Sequence, residues 1–153
     1  MFNRILVSID GSDPANHAAG YAANLAVMDE AELIVMTVLR NIPFYFSEET
    51  EFRYYPELQK SARKSLEDLL KRSGDELRRD HESLKVKTML KEGHPAINIV
   101  ETAREEEVDL IVVGNRGTGG ILSWMLGSTS RNVAEACTVP VLVVKDRQFC
   151  EAS

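Results

Sequence analysis

The residues best suited to chemistry lie in the run Gly114 to Ser130, GNRGTGGILSWMLGSTS. It follows Leu110, Ile111, Val112 and Val113, an apolar stretch that reads as the end of a buried strand. Gly114 and Gly117 can turn the backbone with positive φ and let another molecule approach the N–H groups closely. Gly127 precedes three hydroxyl residues, Ser128, Thr129 and Ser130, where the next helix should begin. Hydroxyls there cap the helix or donate to phosphate oxygens, and a helix N-terminus attracts anions. Arg116 is placed to add a charge-assisted contact. One residue at a time, this is a glycine-rich loop with an ordinary cap. As a spaced set after a buried strand, it predicts a phosphate site. Within it, Ile121, Leu122, Trp124, Met125 and Leu126 form an apolar face, read either as local core or as a partner surface.

Asp10 ends an earlier apolar strand and precedes Gly11. It is either a turn former or a carboxylate that accepts ribose hydroxyls or holds Mg²⁺. His17, His81 and His94 fall on three separate elements, and none has metal-ligand spacing with Cys, Asp or Glu. His94 reads as an exposed turn residue. The chain has no G-x-x-x-x-G-K-[ST] loop, no G-x-G-x-x-G in its first strand–helix turn, no G-x-S-x-G and no C-x-x-C. Groups able to cradle phosphate are present. A general base, a nucleophile and a water-positioning residue beyond Asp10 are not evident.

The elements that must position these residues alternate. Strands are predicted at Arg4–Asp10, Glu32–Leu39, Val86–Lys91, Asp109–Val113 and Val139–Lys145. Between them, Asp13-Pro14 opens an alanine-rich helix, with Asp13 as N-cap and Pro at the first helical position. A long amphipathic helix runs from Pro56 to about His81, with a kink expected at Ser73-Gly74. A helix follows Gly93-His94-Pro95, and another spans about Ser130 to Cys137. Such alternation gives a parallel sheet covered on both faces. Arg40 to Tyr55 is aromatic and irregular, and is read either as a cover over a ligand or as a partner surface.

At 153 residues the chain is one domain by size, with residues 148–153 as a C-terminal tail. A net charge of −6 argues against nucleic acid as the main partner. The basic residues Lys60, Arg63, Lys64, Lys71 and Arg72 alternate with acidic ones and read as a solvated helix face. No apolar run approaches the ~20 residues of a membrane span, and no secretory signal is evident. The two cysteines are Cys137, read as a small hydrophobe in an apolar helix, and Cys150 in the tail. A reducing cytoplasmic setting is expected.

The spacing Gly114, two residues, Gly117, nine residues, Gly127-Ser128 resembles the ATP-binding branch of the universal stress protein family. ILVSIDGSDPANHAAGYAANLA, EGHPAINIVETAREEEVDLIVVGNRG and VPVLVVK resemble it too, so that only Asn41 to about Lys85 carries no motif. Ser8 departs from a frequent proline, and Asn115 from a common serine or threonine.

The resemblance implies an α/β fold, Rossmann-like and akin to the adenine nucleotide alpha hydrolases, with one open five-stranded parallel sheet of order 3-2-1-4-5. It implies a site for ATP, or AMP or ADP, at Ser8, Ile9, Asp10, Val38, Val113, Gly114, Arg116, Gly117, Gly127, Ser128, Thr129 and Ser130. Asp10 would face the ribose or an Mg²⁺ on the phosphates, Val38 would offer its backbone to adenine, and Val113 would pack on the ligand. The last strand, an edge by its position, would pair with its mate in a homodimer through Val141, Leu142, Val143 and Val144. The function implied is a nucleotide-responsive regulator in stress response acting on an unknown protein partner. The alternatives are a slow metal-dependent hydrolase, or a protein that phosphorylates itself at Ser128, Thr129 or Ser130, and a ligand-free dimeric interaction module.

Overall fold

The computed structural model describes residues 1–41, 55–116 and 126–145. Their order is β1 (Arg4–Ser8), α1 (Asp13–Asp29), β2 (Glu32–Leu39), α2 (Tyr55–Asp80), β3 (Lys85–Glu92), α3 (Pro95–Glu105), β4 (Leu110–Gly114), α4 (Ser128–Ala136) and β5 (Val141–Val144). The strands form one sheet of order β3-β2-β1-β4-β5. Every neighbouring pair is parallel. This is the expected α/β sheet.

Strand residues alternate between two cores, as the two-residue period of a strand requires. On one face Ile5, Val7, Leu33, Val35, Leu110 and Val112 pack beneath α1 and α2. On the other, Leu6, Ile34, Met36, Ile111 and Val113 pack beneath α3 and α4. Both faces are covered, so β1 and β4 are apolar at nearly every position instead of alternating with polar residues. In α1 the residues turned inward are alanines, Ala15, Ala18, Ala19, Ala22, Ala23 and Ala26. Their small side chains bring the helix axis close to β1 and β4 and set how far its first turn stands from the strand ends.

Several local expectations are corrected. The N-cap of α1 is Ser12, not Asp13: its hydroxyl oxygen accepts from the Ala15 N–H at 3.4 Å, and Asp13 is already helical. α2 runs unbroken through Ser73-Gly74. Gly74 is buried, and a Cβ there would lie 3.0 Å from Thr88 Cγ2, so it serves close packing on β3 and makes no kink. α4 starts two residues before the expected Ser130, and Cys137 is its half-buried C-cap. The predicted first and last strands were each too long, β1 ending at Ser8 and β5 spanning only Val141–Val144. The aromatic residues 44–54, the apolar residues 121–125, Gly117, Cys150 and the tail lie outside the described residues. Among those described, no helix is long and apolar enough to cross a membrane.

Asp109, just before β4, ties the start of the chain to the sheet. Its carboxylate accepts the backbone N–H of Asn3 at 2.5 Å and of Arg4 at 2.9 Å. The Arg4 bond first, then the Asn3 bond, hold its carboxyl below the usual carboxylate range. A carboxyl whose pKa falls on folding stabilises the fold fully above its unfolded value, and that contribution disappears as pH falls through the folded value. Asp109→Asn should therefore lower stability at neutral pH and flatten its decline between about pH 5 and pH 2. Urea midpoints across that range check this; parallel curves for the two proteins would contradict it.

Candidate functional site

From β1 the chain moves outward to β2 and β3, then crosses back to place β4 on the other side of β1. Ligands of open α/β sheets bind at the carboxyl ends of the strands at such a reversal. A cavity of about 370 Å³ lies there. That is in the size range of small-molecule sites. β1 contributes Ser8, followed by Ile9 and Asp10. β4 contributes Val113 and Gly114, followed by Arg116. β2 supplies Thr37 and Val38, followed by Arg40. The first turns of three helices close the wall through Ala15, Pro95 and the run Gly127 to Ser130. The predicted site residues that are described thus all line one cavity; Gly117 lies outside the described residues.

Thr37, Ala15 and Pro95 were not singled out from the sequence. Thr37 carried a signal, being the one hydroxyl in the apolar run ELIVMTVL and 1% exposed in the fold. Ala15 and Pro95 carried none, because their place in the wall follows from where α1 and α3 begin. His94, as expected, is exposed; it is the N-cap of α3 without a side-chain cap bond.

Gly114 has a different reason to be glycine than the loop motif suggests. Its φ is not positive. A Cβ on it would lie 2.8 Å from both C and O of Pro14, in the first turn of α1. The requirement is close approach of two backbones. The Gly114 carbonyl accepts the Ser130 hydroxyl at 2.6 Å, in a buried bond. One residue therefore keys the first turns of α1 and α4 to the end of β4. Next to it, buried Asn115 donates its N–H to the Val144 carbonyl at 2.9 Å. Its carbonyl accepts the Gly127 N–H at 2.8 Å. These bonds link the start of α4 to the end of β5.

The helix starts differ in a way that matters chemically. A helix leaves its first N–H groups without intrahelical acceptors. In α1 the Ser12 hydroxyl oxygen supplies one. The N-cap of α4 is Gly127, which has no side chain and makes no cap bond. The first intrahelical bond there is Arg131 N–H to the Gly127 carbonyl at 3.0 Å. The N–H groups of Ser128, Thr129 and Ser130 precede it and stand at the cavity wall. The partial positive charge of the helix N-terminus adds to Arg116 and Arg40. Asp10 is the one carboxylate in the described lining. In a chain of net charge −6, this is a locally cationic cavity.

Asp10 combines both of its sequence readings. Its Oδ1 accepts the Ser12 N–H at 3.0 Å and the Ser12 hydroxyl at 2.5 Å, an Asx-type turn that starts α1. It also lines the cavity, with Ser12 fixing its orientation.

The profile of the Universal stress protein family matches residues 1–145. The chain belongs to the universal stress protein family. It is 36% identical over 154 residues to Universal stress protein YxiE of Bacillus subtilis, covering 95% of this chain and 100% of that one. Universal stress protein UspA from Lactobacillus plantarum superposes with a TM-score of 0.82 at 26% identity, covering 93% of this chain and 97% of that one. A universal stress protein crystallised in complex with cAMP superposes with a TM-score of 0.66 at 26% identity, covering 94% of this chain and 97% of that one.

The contact at Gly114 predicts that Gly114→Ala destabilises the fold by about 1–3 kcal/mol, the usual cost of overpacking against atoms that cannot move away. Urea unfolding would measure it, and a loss below a few tenths would mean that α1 retreats freely.

Proposed function

We propose that this chain binds an adenine nucleotide, ATP or its shorter relatives AMP and ADP, and acts as a nucleotide-responsive regulator. The observation that carries this reading is the α4 start: N–H groups without a capping side chain, set into a cationic cavity beside Arg116. An anion there would serve as the missing cap. Ile9, Val38 and Val113 give the lining an apolar component that suits a base. The cAMP complex of a structural neighbour supports an adenine nucleotide as the ligand class. Ser128 and Thr129 hydroxyls would donate to phosphate and Asp10 would accept ribose hydroxyls. Among the described residues no cluster of three His, Cys, Asp or Glu could hold a metal ion. Mg²⁺ would therefore come with the phosphates, and Asp10 would add at most one protein ligand. The regulator would work in the cytoplasm.

Gly127→Asp tests the site directly. At φ −59 and ψ 154 the backbone there has a conformation open to any residue. An Asp there caps α4 and should raise ligand-free stability by about 0.5 kcal/mol. The same carboxylate takes the donors and repels phosphate, so calorimetric affinity for ATP should fall at least about tenfold. A wild type whose melting temperature ignores millimolar ATP would refute the nucleotide reading.

We further propose a homodimer through β5. Its Val141, Leu142 and Val143 are half-buried, and among the described residues it pairs only with β4. A charge on an edge strand opposes pairing with another chain. Val143→Lys should therefore lower the sedimentation-equilibrium mass from dimer to monomer; a monomeric wild type would exclude the interface.

A further inference from the structure

Resting on the nucleotide reading, we propose that the Ser130 side chain positions the phosphate end of the site and that its hydroxyl is not a phosphate ligand. A serine hydroxyl has one proton to donate. That proton is committed to the Gly114 carbonyl, at 2.6 Å, and the residue is 4% exposed. Ionised phosphate oxygens only accept, so Ser130 could reach them with its hydroxyl only by abandoning a buried carbonyl. Ser128 is exposed and Thr129 half-buried, and neither hydroxyl has a protein partner among the described residues. The three adjacent hydroxyls thus divide: Ser128 and Thr129 are available to a ligand, and Ser130 holds the helix.

What it holds is the direction of the α4 donors. Ser130 lies in the first turn of α4, so its bond to Gly114 fixes the angle at which the Ser128 and Thr129 N–H groups meet the cavity. Gly114 is itself a firm anchor. It pairs with Val144 in the sheet, and it is packed so closely on Pro14 that no Cβ fits. The bond from Gly127 N–H to the Asn115 carbonyl, at 2.8 Å, is the second tie of the same turn. Loss of the Ser130 hydroxyl would leave α4 held by that bond and by buried Val133.

The test compares the full chain with Ser130→Ala and Ser130→Thr, and uses two readouts. In ligand-free protein, amide exchange at Gly127 and Arg131 should accelerate about tenfold in Ser130→Ala and return toward wild type in Ser130→Thr, which keeps the hydroxyl. Exchange at Val35, buried in the interior strand β2, should stay unchanged. In calorimetry, Ser130→Ala should weaken ATP and AMP about tenfold while leaving adenosine, which has no phosphate, unaffected. Lost ATP affinity with unchanged exchange at Gly127 and Arg131 would make Ser130 a direct ligand and overturn the proposal. Unchanged exchange and unchanged affinity would overturn it too, showing that the hydroxyl positions nothing. If the wild type binds no nucleotide, the nucleotide reading fails, and the exchange experiment still decides whether Ser130 holds α4. Should Ser130→Ala unfold, Ser130→Cys, close in shape and a weak donor, gives the same comparison.

Discussion

The geometry of the cavity depends on the contact between Gly114 and the first turn of α1. Backbone meets backbone there, and a Cβ would come within 2.8 Å of Pro14. Backbone atoms cannot rotate aside as a side-chain tip can. The close seating of α1 begins in its alanine face and ends in this contact. Had β4 ended in any other residue, α1 would have to stand off, and Asp10 and Ser12 would move with it. On the other side, the Gly114 carbonyl takes the Ser130 hydroxyl. The two walls of the cavity, from opposite faces of the sheet, are referenced to one peptide unit.

On that frame the helix starts are not equivalent. Ser12 caps α1 with its own side chain and also orients Asp10. Gly127 caps α4 with no side chain. Leaving N–H donors unsatisfied at a helix start costs stability, and a Ser, Asp or Asn at the N-cap would recover some of it. The arrangement is understandable if an external anion completes the turn. Because charged side chains in the described lining are two arginines and one aspartate, the field at the cavity opposes the acidic charge of the whole chain.

Much of this was legible in the residues. The apolar runs beginning at Arg4, Glu32 and Leu110 are too short for helices and too continuous for a half-exposed sheet, so a buried parallel sheet followed. Strand order was not legible from periodicity; it came with the family resemblance. The capping residue of α1 was misplaced because Ser12, Asp13 and Pro14 are all good helix starters, and only the hydroxyl bond to Ala15 distinguishes them. Gly74 suggested a kink because a glycine inside a helix has several causes, and contact with Thr88 cannot be seen along one chain. Thr37 was passed over because its polarity is visible in sequence but its position at the cavity wall is not.

The same limit bears on how the glycine motif itself should be understood. Gly114 is part of a spacing that resembles a nucleotide-binding signature, yet packing alone is enough to require it. Loss of binding on changing Gly114 would therefore say little about ligand contact, since the fold around the cavity would change as well. Gly127 is the opposite case. Its backbone, at φ −59 and ψ 154, lies in a region open to all residues, so its conformation does not call for glycine. A glycine that its own backbone conformation does not require, at the start of a helix that would be better capped by another residue, points outward to something the helix is meant to hold. The chemical information in the loop is concentrated at Gly127, Ser128 and Thr129, while Gly114 and Ser130 build the frame that presents them.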